Sequence, residues 1–163
     1  MEKIIAITGH RPNKLNNEYG FNGPLSKWIK GKIDAILDRE CPDKLMSGMA
    51  LGIDTLFALI AIERDLPLIA TIPFIGQEKK WPQESQDVYN KILSYHKIEK
   101  CIVCDGGYAP EKMQIRNEFM VDRCYKLIAV WDGSYSGTGN AVKYAKKIDR
   151  EIIRINPKDC IYG

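Results

Sequence analysis

The chain has 163 residues, 45% hydrophobic and 28% charged, with a net charge of +3 from 24 basic and 21 acidic side chains. That size points to one domain spanning residues 1–163, large enough to bury a real core. The charge is small and interleaved, and no apolar run reaches the ~18 residues of a membrane helix, so neither nucleic acid nor membrane is an expected partner.

Met1-Glu2-Lys3 leads directly into an apolar strand with no charged-then-apolar leader, so a cytoplasmic location is expected. Five cysteines, an odd number, agree with reduced thiols: Cys41, Cys101, Cys104, Cys124 and Cys160. Cys101 and Cys104 form a C-x-x-C inside the apolar run KCIVCDG, where a strand would send them to opposite faces. Buried structural thiols are expected there, and no metal site is assigned.

In chain order, KIIAITG (3–9) reads as the first strand, and Pro24 opens a helix striped by Leu25, Trp28, Ile29, Ile33, Ile36 and Leu37. DKLMSG (43–48) is a second strand. The segment 50–65 is a helix apolar nearly all round, hence central. PLIATIPF (67–74) is the third strand, followed by the polar loop IGQEKKWPQ and a helix marked by Val88, Ile92 and Tyr95. KCIVCDG (100–106) is the fourth strand. Residues 113–124 form a helix with Ile115, Phe119 and Met120 as anchors. KLIAVWDG (126–133) is the fifth strand, Ala141, Tyr144, Ala145 and Ile148 stripe the next helix, and EIIRIN (151–156) is the last strand.

Apolar, non-alternating strands separated by helices predict an α/β, three-layer, Rossmann-like doubly wound fold: a mainly parallel sheet with helices on both faces. Ligands of such folds bind beyond the carboxyl ends of the strands. Gly9, His10 and Arg11 end the first strand, and Arg11 suits a phosphate. Ser47 and Gly48 end the second, ahead of Ala50 and Asp54, in the segment MSGMALGID. A glycine at a helix start lets an anion reach free amides, although a tight corner explains the segment equally well. Gly48→Val is expected to weaken nucleotide binding more than it destabilises the fold.

After the fifth strand, Asp132 and Gly133 lead into Ser136, Gly137, Thr138, Gly139 and Asn140. Backbone amides and hydroxyls pointing inward together suit phosphate or ribose. Arg116 and Asn117 lie on the helix after the Gly106-Gly107 loop. Phe74, Gln77 and Trp81 flank the third strand's loop, where Trp81 would stack on a base or else pack on the loop itself.

The segments TGHRP, SGMALGID, RNEFMVD and GTGNAVKYA, in that order, resemble the SLOG superfamily of Rossmann-like proteins, in particular the YpsA/YoqJ-like group of bacterial and prophage proteins. The resemblance covers essentially the whole chain. It implies a nucleotide or nucleotide-derived ligand, such as an ADP-ribose-like signal, with no obligatory cofactor, and it puts a homodimer among the partners. SGMALGID is also similar to a segment of the DNA-processing protein A (Smf) family, which binds single-stranded DNA. Met113, Arg116 and Gly137-Thr138 are similar to parts of the Lonely-Guy-type phosphoribohydrolase pattern, which implies cleavage of an N-glycosidic bond. There, Asn140 and Ala141 stand where that family carries glutamates. Hydrolysis or ribosyl transfer would therefore need a carboxylate from elsewhere, Glu118 or Asp132, beside Arg116.

Overall fold

The computed structural model describes residues 1–161. Six strands form one all-parallel sheet in the order β4-β3-β2-β1-β5-β6: β1 (Ile4–Gly9), β2 (Lys44–Ser47), β3 (Leu68–Ile72), β4 (Ile98–Ile102), β5 (Lys126–Val130) and β6 (Ile152–Ile155). The long helices are α1 (Pro24–Glu40), α2 (Ile53–Glu63), α3 (Gln83–Leu93), α4 (Pro110–Arg123) and α5 (Gly137–Lys147). This is the expected Rossmann-like architecture.

β1 shows how the sequence produces the layers. Side chains alternate along a strand. Ile5 and Ile7 join the core formed with Ile29 and Ile33 of α1 and Phe57 of α2, while Ala6 points to the opposite face, against Met120 and Val121 of α4 and Ala145 of α5. A strand apolar on both faces is therefore covered on both. α2 is the central helix, with eight buried residues, including Phe57 and Ala58 at 0% exposure.

The chain runs outward from β1 through β2, β3 and β4, then returns to place β5 on β1's other side, with Gly9 opposite Val130. The reversal opens a crevice between the carboxyl ends of β1 and β5, where such folds bind ligands.

Several boundaries differ from the sequence reading. β4 lies two residues earlier than KCIVCDG at its start, because its register opposite Leu68–Ile72 of β3 sets it. It is an edge strand, so Cys101 is only half-buried, and Cys104 lies beyond the strand and is half-buried too. Cys124 and Cys160 are the buried thiols. Ile115, expected as an anchor, is 47% exposed, while Arg116 beside it is buried. Tyr95 and Ile148 fall just beyond their helices.

α2 begins at Ile53, not near Ala50, because residues 48–52 make a corner. Gly52 has φ +89°, and a Cβ there would sit 2.5 Å from the carbonyl oxygen of His10. Met49 carries φ +60°, a conformation that side chains other than glycine seldom adopt. Ser47 holds the corner: its hydroxyl accepts from the Met49 amide (3.1 Å) and donates to the Asp54 carbonyl (2.7 Å).

Candidate functional site

The segment after β1 enters the crevice first. His10 is 3% exposed. Its Nε2 lies 3.0 Å from both the Asp132 amide nitrogen and Asp132 Oδ1. Burial pushes its pKa below the ordinary histidine value, against the opposing pull of Asp132. Asp132 itself is held well below the usual carboxylate range, first by hydrogen bonds from Ser134, whose amide donates to Oδ1 at 2.8 Å. His10 and Asp132 thus fasten the ends of β1 and β5 together.

Arg11 and Lys14 follow on the rim. Lys14, in a short 3-10 turn (Pro12–Lys14), donates to the Ser134 hydroxyl at 2.8 Å across the mouth of the crevice. Arg11 makes no ion pair among the described residues.

α5 supplies the far wall. Ser136 caps it, its hydroxyl accepting from the Gly139 amide at 3.0 Å. The first-turn amides of a helix have no internal partners and carry partial positive charge. With Gly139 satisfied by the cap, the Gly137 and Thr138 amides remain. Thr138 is 6% exposed, and its hydroxyl has no partner among the described residues.

α4 supplies the floor. Arg116 is 4% exposed. Its Nη1 donates to the Gly48 carbonyl and its Nε to Asn117 Oδ1 at 2.8 Å, while Nη2 has no partner among the described residues. Burial lowers its pKa and Asp54 opposes the shift, but a guanidinium stays charged in a protein. Asp54, on the first turn of α2, is 7% exposed. Its Oδ2 accepts from the Ala50 amide at 3.2 Å, and burial raises its pKa, with Arg116 pulling the other way.

These groups enclose a cavity of about 190 Å³, lined from β1 by Thr8, Gly9, His10 and Arg11, from α4 by Met113, Arg116 and Asn117, and from α5 by Ser136, Gly137 and Thr138, with Ala50 and Asp54 on the α2 side. Three cations face one carboxylate. Buried unpaired donors, free helix-start amides and this charge balance suit a phosphorylated ligand.

A second hollow of about 610 Å³ adjoins the cavity and shares Arg11 and Met113 with it. Phe74, Gln77 and Trp81 line this hollow, not the first cavity. Trp81 packs edge-on against Tyr89, ring centres 5.3 Å apart, and Phe74 against Tyr108 at 6.0 Å.

The other expected residues sit outside both spaces. Ser47 and Gly48 lie beneath the floor, Gly48 carrying the carbonyl that holds Arg116. The amides of Met49 and Ala50 are taken by Ser47 and Asp54, and that of Ile53 by the His10 carbonyl at 3.3 Å. Asp132 and Gly133 lie behind His10, and Gly139 and Asn140 face away on α5. Glu118 stands two positions from Arg116 and accepts from Gln114 at 3.0 Å, off the cavity. Sequence reasoning did not single out Asn13 and Lys14, although the RPNK run directly after β1 was the available signal.

Residues 5–159 match the family model described as the YspA SLOG family. The chain belongs to that family. It is similar to the uncharacterized SPbeta prophage-derived protein YoqJ of Bacillus subtilis (strain 168), 31% identical over 142 residues, covering 77% of this chain and 83% of that one. Among solved structures, this SLOG-family chain resembles DNA processing protein A of Helicobacter pylori, whose structure concerns its single-stranded DNA binding mode. The TM-score is 0.66 at 21% identity, covering 95% of this chain and 66% of that one. It also resembles DNA processing protein A of Streptococcus pneumoniae, with a TM-score of 0.62 at 19% identity, covering 95% of this chain but half of the other. At such identities the likeness establishes the shared fold. The expectation that nucleic acid is not a partner gains no support from it. No helix among the described residues is long and apolar enough to cross a membrane.

Proposed function

We propose that this SLOG-family protein binds a nucleotide or nucleotide-derived ligand, ADP-ribose-like in its chemistry, in the β1–β5 crevice. The observation that carries the reading is Arg116: a guanidinium 4% exposed, held on two sides by Gly48 and Asn117, with Nη2 unpaired at the floor of a cavity whose opposite wall is a helix start. The phosphate lies between Nη2 and the Gly137 and Thr138 amides, and Arg11 and Lys14 close over it. The remainder of the ligand extends past Arg11 into the hollow lined by Trp81 and Tyr108. Native mass spectrometry of the purified protein tests for a retained nucleotide. Calorimetry with ADP-ribose tests the site: Arg116→Met should weaken binding tenfold or more, and unchanged affinity in a folded variant would refute the assignment.

One observation favours an enzymatic variant of the same site. Asp54 is the carboxylate that lines the cavity beside Arg116, and a carboxylate there is suited to stabilising the positive charge that develops on a ribose during glycosidic cleavage. Free base released from nucleoside monophosphates by the wild type, and abolished in Asp54→Asn, would establish N-glycosidic cleavage. Glu118→Ala should leave any such activity intact. The likeness to DNA processing protein A motivates a gel shift on single-stranded DNA at low salt, where the proposal predicts no retarded band. A cytoplasmic location and a homodimer complete the reading, and sedimentation equilibrium tests the dimer.

A further inference from the structure

The floor of the cavity carries more than an anion cup needs. Asp54 is 93% buried by its 7% exposure, yet only Oδ2 is engaged, by the Ala50 amide at 3.2 Å. Oδ1 has no hydrogen-bond partner among the described residues. Arg116 is as deeply buried, with Nη2 equally free. Opposite charges buried side by side ordinarily join directly, because each otherwise bears its desolvation cost alone. Here no ion pair joins them. They flank Gly48 instead: a Cβ built on that residue would lie 2.7 Å from Arg116 Nη1 and 2.8 Å from Asp54 Oδ2. Both side chains open on the same cavity.

An acceptor and a donor on side chains this deeply buried, each unpaired by protein and both opening on one cavity, are placed to hold a third group between them. A phosphate alone does not meet this requirement. It satisfies Arg116 but brings only acceptors towards Asp54, where like charge repels it. The missing partner must offer a hydrogen-bond donor to Asp54 beside an anionic oxygen for Arg116. From the geometry of these two residues we infer that the ligand is a phosphorylated ribose whose ring hydroxyl donates to Asp54, so that the site selects ribonucleotides over sugars lacking that hydroxyl. This rests on the nucleotide-binding reading above and specifies its ligand class. Asp54 is a specificity-determining residue, and its partner is a sugar hydroxyl that deoxyribose or dideoxyribose lacks in part or in whole.

The physical consequence is asymmetric. A ligand without the hydroxyl still enters, but it buries the carboxylate unpaired, which a site built around a hydroxyl penalises strongly. Calorimetry with adenosine 5′-monophosphate and 2′,3′-dideoxyadenosine 5′-monophosphate, on the full chain, reads this directly. Wild type should bind the ribonucleotide at least tenfold more tightly. In Asp54→Ala the ratio should fall below about threefold, because the group that penalises the dideoxy ligand is gone. If Asp54→Ala does not fold, Asp54→Leu replaces it. Asparagine keeps an oxygen for the Ala50 amide but turns a donor towards the cavity, which a ring hydroxyl can still accept, so Asp54→Leu, which presents no hydrogen-bonding group, is the variant in which the ratio should again fall below about threefold. Equal affinity for the two nucleotides in the wild type overturns the inference and leaves nucleotide binding standing. An undiminished ratio in the folded variants overturns the assignment to Asp54. Absence of binding by both nucleotides overturns the underlying reading, and the inference with it.

Discussion

Gly48→Ala isolates the strut on which the cavity floor rests. The added Cβ would lie 2.7 Å from Arg116 Nη1, 2.8 Å from its Cζ and 2.8 Å from Asp54 Oδ2. Real Cβ atoms do not tolerate such contacts, and the neighbours are two charged groups with exposures of 4% and 7%, not the ends of free surface side chains. The guanidinium must move, which strains or breaks its bond to the Gly48 carbonyl. Overpacking a filled interior costs about 1–3 kcal/mol. Losing a hydrogen bond from a buried charged donor costs about 1.5–3 kcal/mol. The two overlap, since movement that relieves the clash is what breaks the bond, so the sum is about 3 kcal/mol. For a chain of this length, that lowers Tm by roughly 6–12 °C. Scanning calorimetry of both proteins at one pH and salt measures it. A Tm within about 2 °C of wild type would refute the strut. The sequence alone suggested that a larger side chain at position 48 would harm binding more than folding. In the structure the backbone at Gly48 approaches Arg116, so a larger side chain there acts on the fold and on the cavity floor together.

Thr138→Val removes a cavity-facing hydroxyl that makes no protein hydrogen bond, so Tm should shift by no more than about 1 °C while nucleotide affinity falls roughly 3- to 10-fold. A large Tm loss with unchanged affinity would mean that the hydroxyl serves the fold. His10 has its pKa lowered by burial, so between that folded value and the ordinary value near pH 6.5 the unfolded chain binds more protons. Stability should therefore decline as pH drops below about 6.5, and urea midpoints of His10→Asn should show a flatter slope from about pH 6.5 to 5. Asp132, held low, adds a loss of the same sign at still lower pH. Cys124 is buried and its thiol is pushed up to about 11, whereas Cys41 is exposed. Iodoacetamide at mildly alkaline pH should label Cys41 in the folded protein and Cys124 only after denaturation. Equal labelling rates, read by peptide mass spectrometry, would contradict that burial.

The fold was legible because β1, β2, β3 and β5 are apolar on both faces, and only a sheet covered on both sides accommodates such strands. The edge strand β4 was the hardest to place: its exposed residues Glu99 and Lys100 carry no apolar signal, and backbone pairing with β3 alone fixes its position. At the site, periodicity indicated which helix bore Arg116 but not that Arg116 would be buried while Ile115 beside it faced solvent. That outcome depends on the Gly48 carbonyl and Asn117, contacts separated by up to 68 residues in sequence. The two glycine-rich turns looked alike in sequence. They differ in three dimensions because Ser47 and Asp54 take the Met49 and Ala50 amides and turn the chain through a corner before α2 begins, while Ser136 caps α5 directly and leaves the Gly137 and Thr138 amides on the cavity wall. Lys14 stayed hidden because its role arises from Ser134, 120 residues away.

The central claim is that a nucleotide phosphate rests between the start of α5 and the free face of Arg116. A crystal structure of the protein with adenosine 5′-monophosphate tests it most directly. The account predicts phosphate oxygens within hydrogen-bonding distance of the Gly137 and Thr138 amides and of Arg116 Nη2. A phosphate bound elsewhere on the protein, with Arg116 Nη2 still unpaired, would contradict it.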